Sequence, residues 1–511
     1  MSEGYYYNNE REKRRAARRR KVMIRRVLFG VACVAVVALL VFLFVKLFGG
    51  RNDSDPAAKT STESGSQIES ESEKESKETV PGETDQTQAE SQTDQSGQSD
   101  TNVQKTLDEA ARLAAMYDYD AAIEKIKTIS GYEQISAATA ALDDYQLTKA
   151  SCSPVNVETV PHIFYHSLIV DPSRVFDRSK YGTLVDGYNA WMVTIDEFNA
   201  VTETLYNQGY VYVMLSDLYN KTTDSDGKVH YTKNNELMLP PGKKAIVLST
   251  DDLAYYAQYP DGFASKVVLD ENGKLKCEYV DKDGNSTVGD YDYLPLLDKF
   301  IEEHPDASYR GAKGTIALTG YDGVFGYRTD EGFFSNPTSD EAAWIAKHPD
   351  VKLEEEIEKA KVIAQAIKDD GWEFASHSWG HRPMNEKSLD WLKTDTEKWL
   401  SRVAPIVGDT DILIFPHGAD IGSVGDYSLD NEKYAYLTGK GFHIYCNVDA
   451  SALYWNQFRD SYIRQSRIDI DGYTLYLALS NDNTVISKLG IDANAIFEKS
   501  RPTPVIANGA G

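Results

Sequence analysis

KAIVLSTDDL, residues Lys244–Leu253, is an apolar run that ends in two adjacent carboxylates, Asp251 and Asp252. A strand with one wet face alternates apolar and polar residues. A run apolar at consecutive positions needs cover on both faces, which parallel sheets have. Comparable runs recur as HIFYHSL (162–168), YVYVMLS (210–216), GTIALTG (314–320), WEFASHS (372–378), DILIFPH (411–417), FHIYCNV (442–448) and TLYLALS (474–480). Between them lie amphipathic segments such as TIDEFNAVTETLYNQG, LPLLDKFIEEH, VKLEEEIEKAKVIAQAIKDDG and SLDWLKTDTEKWLSRVAPIVG. Strands alternating with helices over residues 151–500 predict an α/β domain, an irregular (β/α) barrel. The Gly-rich piece LDENGKLKCEYVDKDGNSTVGD (269–290) reads as an insertion on one face.

In such folds the chemistry gathers where the parallel strands end. The expected ends deliver a short set: Asp251 and Asp252 after KAIVLST, and His377 and His381 after WEFAS. Pro416, His417 and Gly418 follow DILIF, and His166 follows HIFY. The chain has only nine histidines, and HSWGH spends two of them four residues apart. On a helical turn that spacing puts both imidazoles on one face; taken alone, the pair reads better as two solvated or hydrogen-bonded histidines. Converging on one barrel mouth, one carboxylate and two imidazoles make a mononuclear site with positions left for water and substrate. That ligand set suits Zn²⁺, with Co²⁺ or Ni²⁺ possible. Adjacent aspartates can then divide the work, one on the metal and one as base.

The N-terminal part reads differently. Residues 1–26 are crowded with Arg and Lys, and VLFGVACVAVVALLVFLFV (27–45) follows without a charge. The run approaches the ~20 residues needed to cross a bilayer and exceeds a signal-peptide core. The expected order is a basic cytoplasmic tail (1–26), a single transmembrane anchor (27–48) and everything beyond outside the cell; a cleaved signal is the alternative. Residues 49–102, rich in Ser, Thr, Glu and Gln, predict a disordered stalk, and 103–150 a small helical hairpin. The net charge of −25 becomes more negative once the basic tail is set aside. That excludes nucleic acid as a natural partner and weighs against an acidic glycan. The four cysteines, Cys33 among them, show no metal-ligand spacing.

STDDL, HSWGH and FPHG together resemble the three motifs of the NodB-type polysaccharide deacetylases, carbohydrate esterase family four, approximately T-F-D-D-G, H-[ST]-x-x-H and R-x-P-x-G. The resemblance covers roughly residues 155–485. It implies a distorted (β/α) barrel and hydrolysis of acetyl groups from a glycan, typically N-acetylglucosamine in peptidoglycan or an exported polysaccharide. Asp251 would be the general base, and Asp252, His377 and His381 would hold the metal. The backbone after Pro416, with Gly418, would help bind the oxyanion. His166 would line the pocket, and Trp455 would stand where the family often has an Asp-Trp element. Three departures are visible. Leu253 replaces the glycine of the first motif, and Ile414 stands where an arginine often braces the catalytic aspartate. LYLALSNDN also lacks the late histidine that serves as general acid, so His417 or His443 would have to take that part. A degenerate domain that binds glycan or a partner without turnover is the alternative reading.

Overall fold

A computed structural model describes residues 93–507. The basic tail, the expected anchor and most of the expected stalk lie outside these residues. Among the described residues no helix is long and apolar enough to cross a membrane. A helix over Thr93–Ala115 begins inside the stretch expected as stalk. Further helices over Tyr119–Lys127 and Ser136–Ser151 flank the break at Gly131–Gln134, where the sequence predicted a hairpin. This helical module packs beside the segment that leads into the Gly314–Leu318 strand. The Arg310 amide donates to the Met116 carbonyl at 2.8 Å, and the Tyr117 hydroxyl to the Asp306 carbonyl at 2.7 Å.

Eight strands form the barrel wall: β1 His162–Tyr165, β2 Tyr210–Val213, β3 Lys244–Asp251, β4 Gly314–Leu318, β5 Trp372–Ser376, β6 Ile412–Ile414, β7 Ile444–Val448 and β8 Ile463–Asp469. Seven of them close an all-parallel ring in the order β3-β4-β5-β6-β7-β8-β1 and back to β3. The irregularity sits at β2. It pairs with the first half of β3, Tyr210 opposite Lys244 through Val213 opposite Val247. β4 takes the second half, Thr315 opposite Ser249 through Ala317 opposite Asp251. The ring is therefore tighter at its C-terminal mouth, where Asp251 lies. Residues 266–289 form a separate antiparallel sheet of three strands, the insertion expected there.

Side chains alternate along each strand. Outward Ile163, Ile246, Leu248, Ile316 and Leu318 pack under helices such as Ile195–Asn207 and Leu353–Asp369, while Val211, Val247, Ala317, Ala375, Ile414 and Cys446 belong to a second core cluster. Helix Ile195–Asn207 starts in a capping box, with Thr194 and Glu197 satisfying each other's amides. Trp399, on helix Leu389–Arg402, is fully buried, and its indole donates to the Leu318 carbonyl at 2.8 Å, tying that helix to the end of β4.

One expected strand is corrected. Residues 474–480 are not strand; helix Gly472–Ala478 occupies that stretch, opened by Asp471, whose carboxylate accepts from the Thr474 amide at 2.7 Å. The last barrel strand is IRQSRID, Ile463–Asp469. Its polar residues hide it from a search for apolar runs, because Gln465 and Arg467 alternate with its other face and bond to residues of β1 and β3.

Candidate metal centre

Neighbouring residues of a strand point to opposite faces, so Asp251 and Asp252 can address one site only if the backbone breaks between them. It does. Asp251 ends β3, and Asp252 follows with a φ of 63°, in the left-handed region. Ser378, His381 and His417 share that conformation, at 60°, 48° and 57°. Eight non-glycine residues have positive φ among those described, and half of them cluster here, the concentration of strain expected where geometry serves function.

HSWGH is not a helical turn. His377 follows β5 directly, and the chain then folds through left-handed Ser378 and His381, bringing the two imidazole centroids within 5.0 Å. The turn is held from below by buried Asp395, whose two oxygens accept the Trp379 and Gly380 amides, each at 2.8 Å. The Ser378 hydroxyl oxygen accepts the His381 amide at 3.0 Å. Gly320 makes the close approach possible: a Cβ there would lie 2.6 Å from Cδ1 of Trp379.

Asp252, His377 and His381 each present a ligand atom within 4.8 Å of the others. Nδ1–H of His377 donates to the Ile414 carbonyl at 2.8 Å, which fixes the tautomer and leaves Nε2 as a lone-pair donor. Nε2 of His381 stands 3.5 Å from Asp252 Oδ2, and the Tyr256 hydroxyl donates to Oδ1 at 2.7 Å. Burial pushes both imidazoles down, His377 to about 4 and His381 to about 3, so both are neutral at pH 7, the form that ligates metal. A carboxylate with two neutral, oriented imidazoles fits a divalent ion such as Zn²⁺.

Asp251 has a different set of partners: its Oδ2 stands 3.6 Å from Nε2 of His377, and its main contact is on the other side. Burial opposes its ionisation, but the guanidinium of Arg467, with His377 behind it, overcomes that and holds the carboxyl well below the usual range. The contact is bidentate: Nη1 to Oδ1 at 2.7 Å and Nη2 to Oδ2 at 2.9 Å. Arg467 is fully buried, lies 3.9 Å over the Phe164 ring and also donates to Ser249 Oγ at 3.1 Å. Ser249 in turn donates to Nε2 of His162 at 2.8 Å, whose Nδ1–H donates to Gln465 at 2.9 Å. The brace absent at Ile414 thus comes from β8. The sequence signal was the alternation of Gln465, Arg467 and Asp469 at spacing two, legible only once IRQSRID is recognised as a strand.

The remaining candidates divide. The His417 ring lies 4.5 Å from that of His381, tilted by 48°, and the two share a cleft of about 560 Å³. Pro416 is buried in the turn beneath. The amides of Gly418, Ala419 and Asp420 already donate to nearby carbonyls, so His417 N–H is the amide of that turn without an acceptor among the described residues. The oxyanion expectation for Gly418 therefore narrows to His417; Gly418 serves the close packing against Val448, which a Cβ would approach to 2.5 Å. His166 donates through Nδ1 to the Trp191 carbonyl at 3.0 Å and lies in the neighbourhood of Asp251. Trp455 lies 5.0 Å from the Arg464 guanidinium, and its contacts do not reach the ligands. His443 donates through Nδ1 to the Ser461 carbonyl at 3.1 Å and lies against Tyr231, away from this cluster. Asp469, unremarked in the sequence, places a carboxyl oxygen without a hydrogen-bond partner beside Arg467; burial, then the charge of Asp471, push its pKa well up.

No protein-family profile matches the chain, and no curated protein matches it. Among solved structures it is similar to the deacetylase PplD of Streptococcus pyogenes in complex with acetate, at 13% identity, over 68% of this chain and 100% of that one, with a TM-score of 0.31. It is also similar to a polysaccharide deacetylase from Bacillus cereus, at 12% identity, over 60% of this chain and 64% of that one, with a TM-score of 0.30. At such values the reading of function rests on the residues of the site.

Proposed function

We propose that this chain is a divergent, metal-dependent NodB-type deacetylase that removes acetyl groups, most simply N-acetyl groups, from an extracellular glycan. The observation that carries it is the division of two adjacent aspartates: Asp252 among two tautomer-fixed imidazoles, Asp251 clamped by Arg467. Asp252, His377 and His381 would hold the ion, most simply Zn²⁺, which when bound supplies Lewis acidity toward the acyl oxygen and a water molecule. Asp251, kept ionised and oriented by Arg467, takes the proton of the attacking water. The free N–H of His417 donates to the oxygen that becomes negative as the acyl carbon turns tetrahedral. The leaving nitrogen must be protonated before it departs, and we assign that proton to the His417 imidazole, whose ring centroid lies 4.5 Å from that of His381 and whose Nε2 is 3.4 Å from the His381 carbonyl on the cleft. Beyond the site, an anchor over residues 27–48 would hold the domain on the outer face of the membrane, with peptidoglycan or an exported polysaccharide in reach.

The test is acetate release from N-acetylated glycans by the metal-loaded full-length chain beside Asp251→Asn. Release that falls by ~10²–10⁴ in the variant supports the assignment. Release unchanged by Asp251→Asn, or none from any N- or O-acetylated glycan, overturns it in favour of a binding domain.

A further inference from the structure

The cleft beside the metal ligands is cationic on an otherwise acidic chain. Its walls include Gln258, Tyr321, Trp379, Arg382, Trp391 and Lys398. Arg382 is exposed and makes no ion pair among the described residues, although it directly follows ligand His381. Lys398 also makes none; its ammonium lies 3.7 Å over the Trp379 ring, with Arg402 at 5.6 Å from that ring. Lys387, just outside, stands 5.8 Å from the Trp391 ring without a carboxylate partner.

The acids nearby are committed elsewhere. Asp395, the carboxylate in the cleft wall, is buried and spends both oxygens on the Trp379 and Gly380 amides. Asp330 accepts the Trp379 indole N–H at 2.8 Å and pairs with Arg402, as does Glu331. These bonds fix the Trp379 ring. They also leave Arg382 and Lys398 facing the cleft without an ion-pair partner among the described residues, with the buried Asp395 carboxylate the one opposing charge in the wall, within range of Lys398.

Building on the deacetylase reading, we infer that this cleft selects an acetylated glycan bearing an anionic group, phosphate or carboxylate, within about one sugar of the acetyl group. Half-buried Tyr321 and Trp391 offer ring faces for a sugar, and Arg382 and Lys398 meet the anion. A concave site in which cationic side chains outnumber the single carboxylate focuses a positive field locally, so the cleft attracts what the net charge of −25 repels. The expectation against an acidic glycan, drawn from whole-chain charge, is reversed at the site.

The experiment uses metal-loaded full-length protein and three probes: neutral N,N′-diacetylchitobiose, N-acetylglucosamine 1-phosphate, and the disaccharide of N-acetylglucosamine with N-acetylmuramic acid. Affinity is titrated from about 10 mM to about 500 mM salt, a range over which screening length falls several-fold, and acetate release is followed in parallel. At least one anionic probe should bind about tenfold tighter than chitobiose at low salt. That advantage should fade with salt and largely vanish in Arg382→Gln/Lys398→Gln. The preferred probe tells phosphate from carboxylate. Equal affinity for all probes, or an advantage that survives the double substitution, overturns the inference. Acetate release from chitobiose and anionic probes alike would sink the inference and leave the deacetylase standing. Salt-dependent anion binding with no acetate from any probe would do the reverse.

Discussion

Arg467→Met removes the bidentate partner of Asp251 and leaves His377, 3.6 Å from Asp251 Oδ2, and the other candidate ligands in place. Both side chains are buried, Asp251 2% and Arg467 0% exposed, and two short bonds join them. Breaking such a pair from one side leaves an uncompensated buried charge, at a cost of about 3–5 kcal/mol. Asp251→Asn orphans the guanidinium and should cost a comparable amount. The double variant leaves no lone charge, so its loss should fall short of the sum by about 2 kcal/mol or more. Guanidinium unfolding of the metal-free full-length protein gives the stabilities. Acetate release from Arg467→Met should also drop ~10²–10⁴-fold, because a base that has lost its orientation cannot meet the water. Additivity of the two substitutions within about 0.5 kcal/mol would refute the reasoning, since sites without a shared interaction add to that precision.

Gly320→Ala should push Trp379 aside, because the new Cβ would lie 2.6 Å from Cδ1 of Trp379 and 2.8 Å from Cγ2 of Val403; a loss of about 1–3 kcal/mol is expected, and thermal unfolding checks it. Asp395→Ala orphans the Trp379 and Gly380 amides behind the histidines, so metal affinity measured by competition with a chelator should fall about 10–100-fold. His162 is fully buried and held neutral, its pKa pushed to about 3 by burial and then by Arg467. The unfolded chain takes up a proton there below its ordinary value while the folded one does not, so this residue erodes stability as pH falls from about 6.5 toward 3, by about 1.4 kcal/mol per unit. Stability measured against pH should show a shallower acid slope in His162→Gln than in the wild type; parallel slopes would contradict that role.

The architecture was legible wherever burial on both faces makes a strand uniformly apolar. AIVL in β3, YVYV in β2 and TIAL in β4 could be read as parallel strands, and the amphipathic stretches between them as the helices that cover them. The residues of the candidate metal site were legible because they follow such runs directly. The reading failed where the barrel turns polar. β8 carries Arg464, Gln465, Arg467 and Asp469, so it lacks an apolar run, while TLYLAL looks like a strand yet is a helix started by Asp471. Periodicity cannot separate a short apolar helix from a short buried strand. Arg467 was hidden for a further reason. Its partner Asp251 lies 216 residues earlier, and only ring closure through β1 brings the two together. The local geometry of HSWGH was likewise beyond sequence, because positive φ at Ser378 and His381 is imposed by Asp395, the Ser378 hydroxyl and the neighbouring loop.

The most direct measurement is metal content by mass spectrometry of the full-length chain after loading with Zn²⁺, Co²⁺ or Ni²⁺ and desalting. Wild type is compared with Asp252→Ala, His377→Ala and His381→Ala, each first shown to be folded by circular dichroism. We expect about one ion per chain in the wild type and loss of it in every variant, since three ligands are the fewest that hold such a site. A wild type that retains no ion from any of the three, or variants that keep a full complement, would contradict the assignment of Asp252, His377 and His381 as a metal centre.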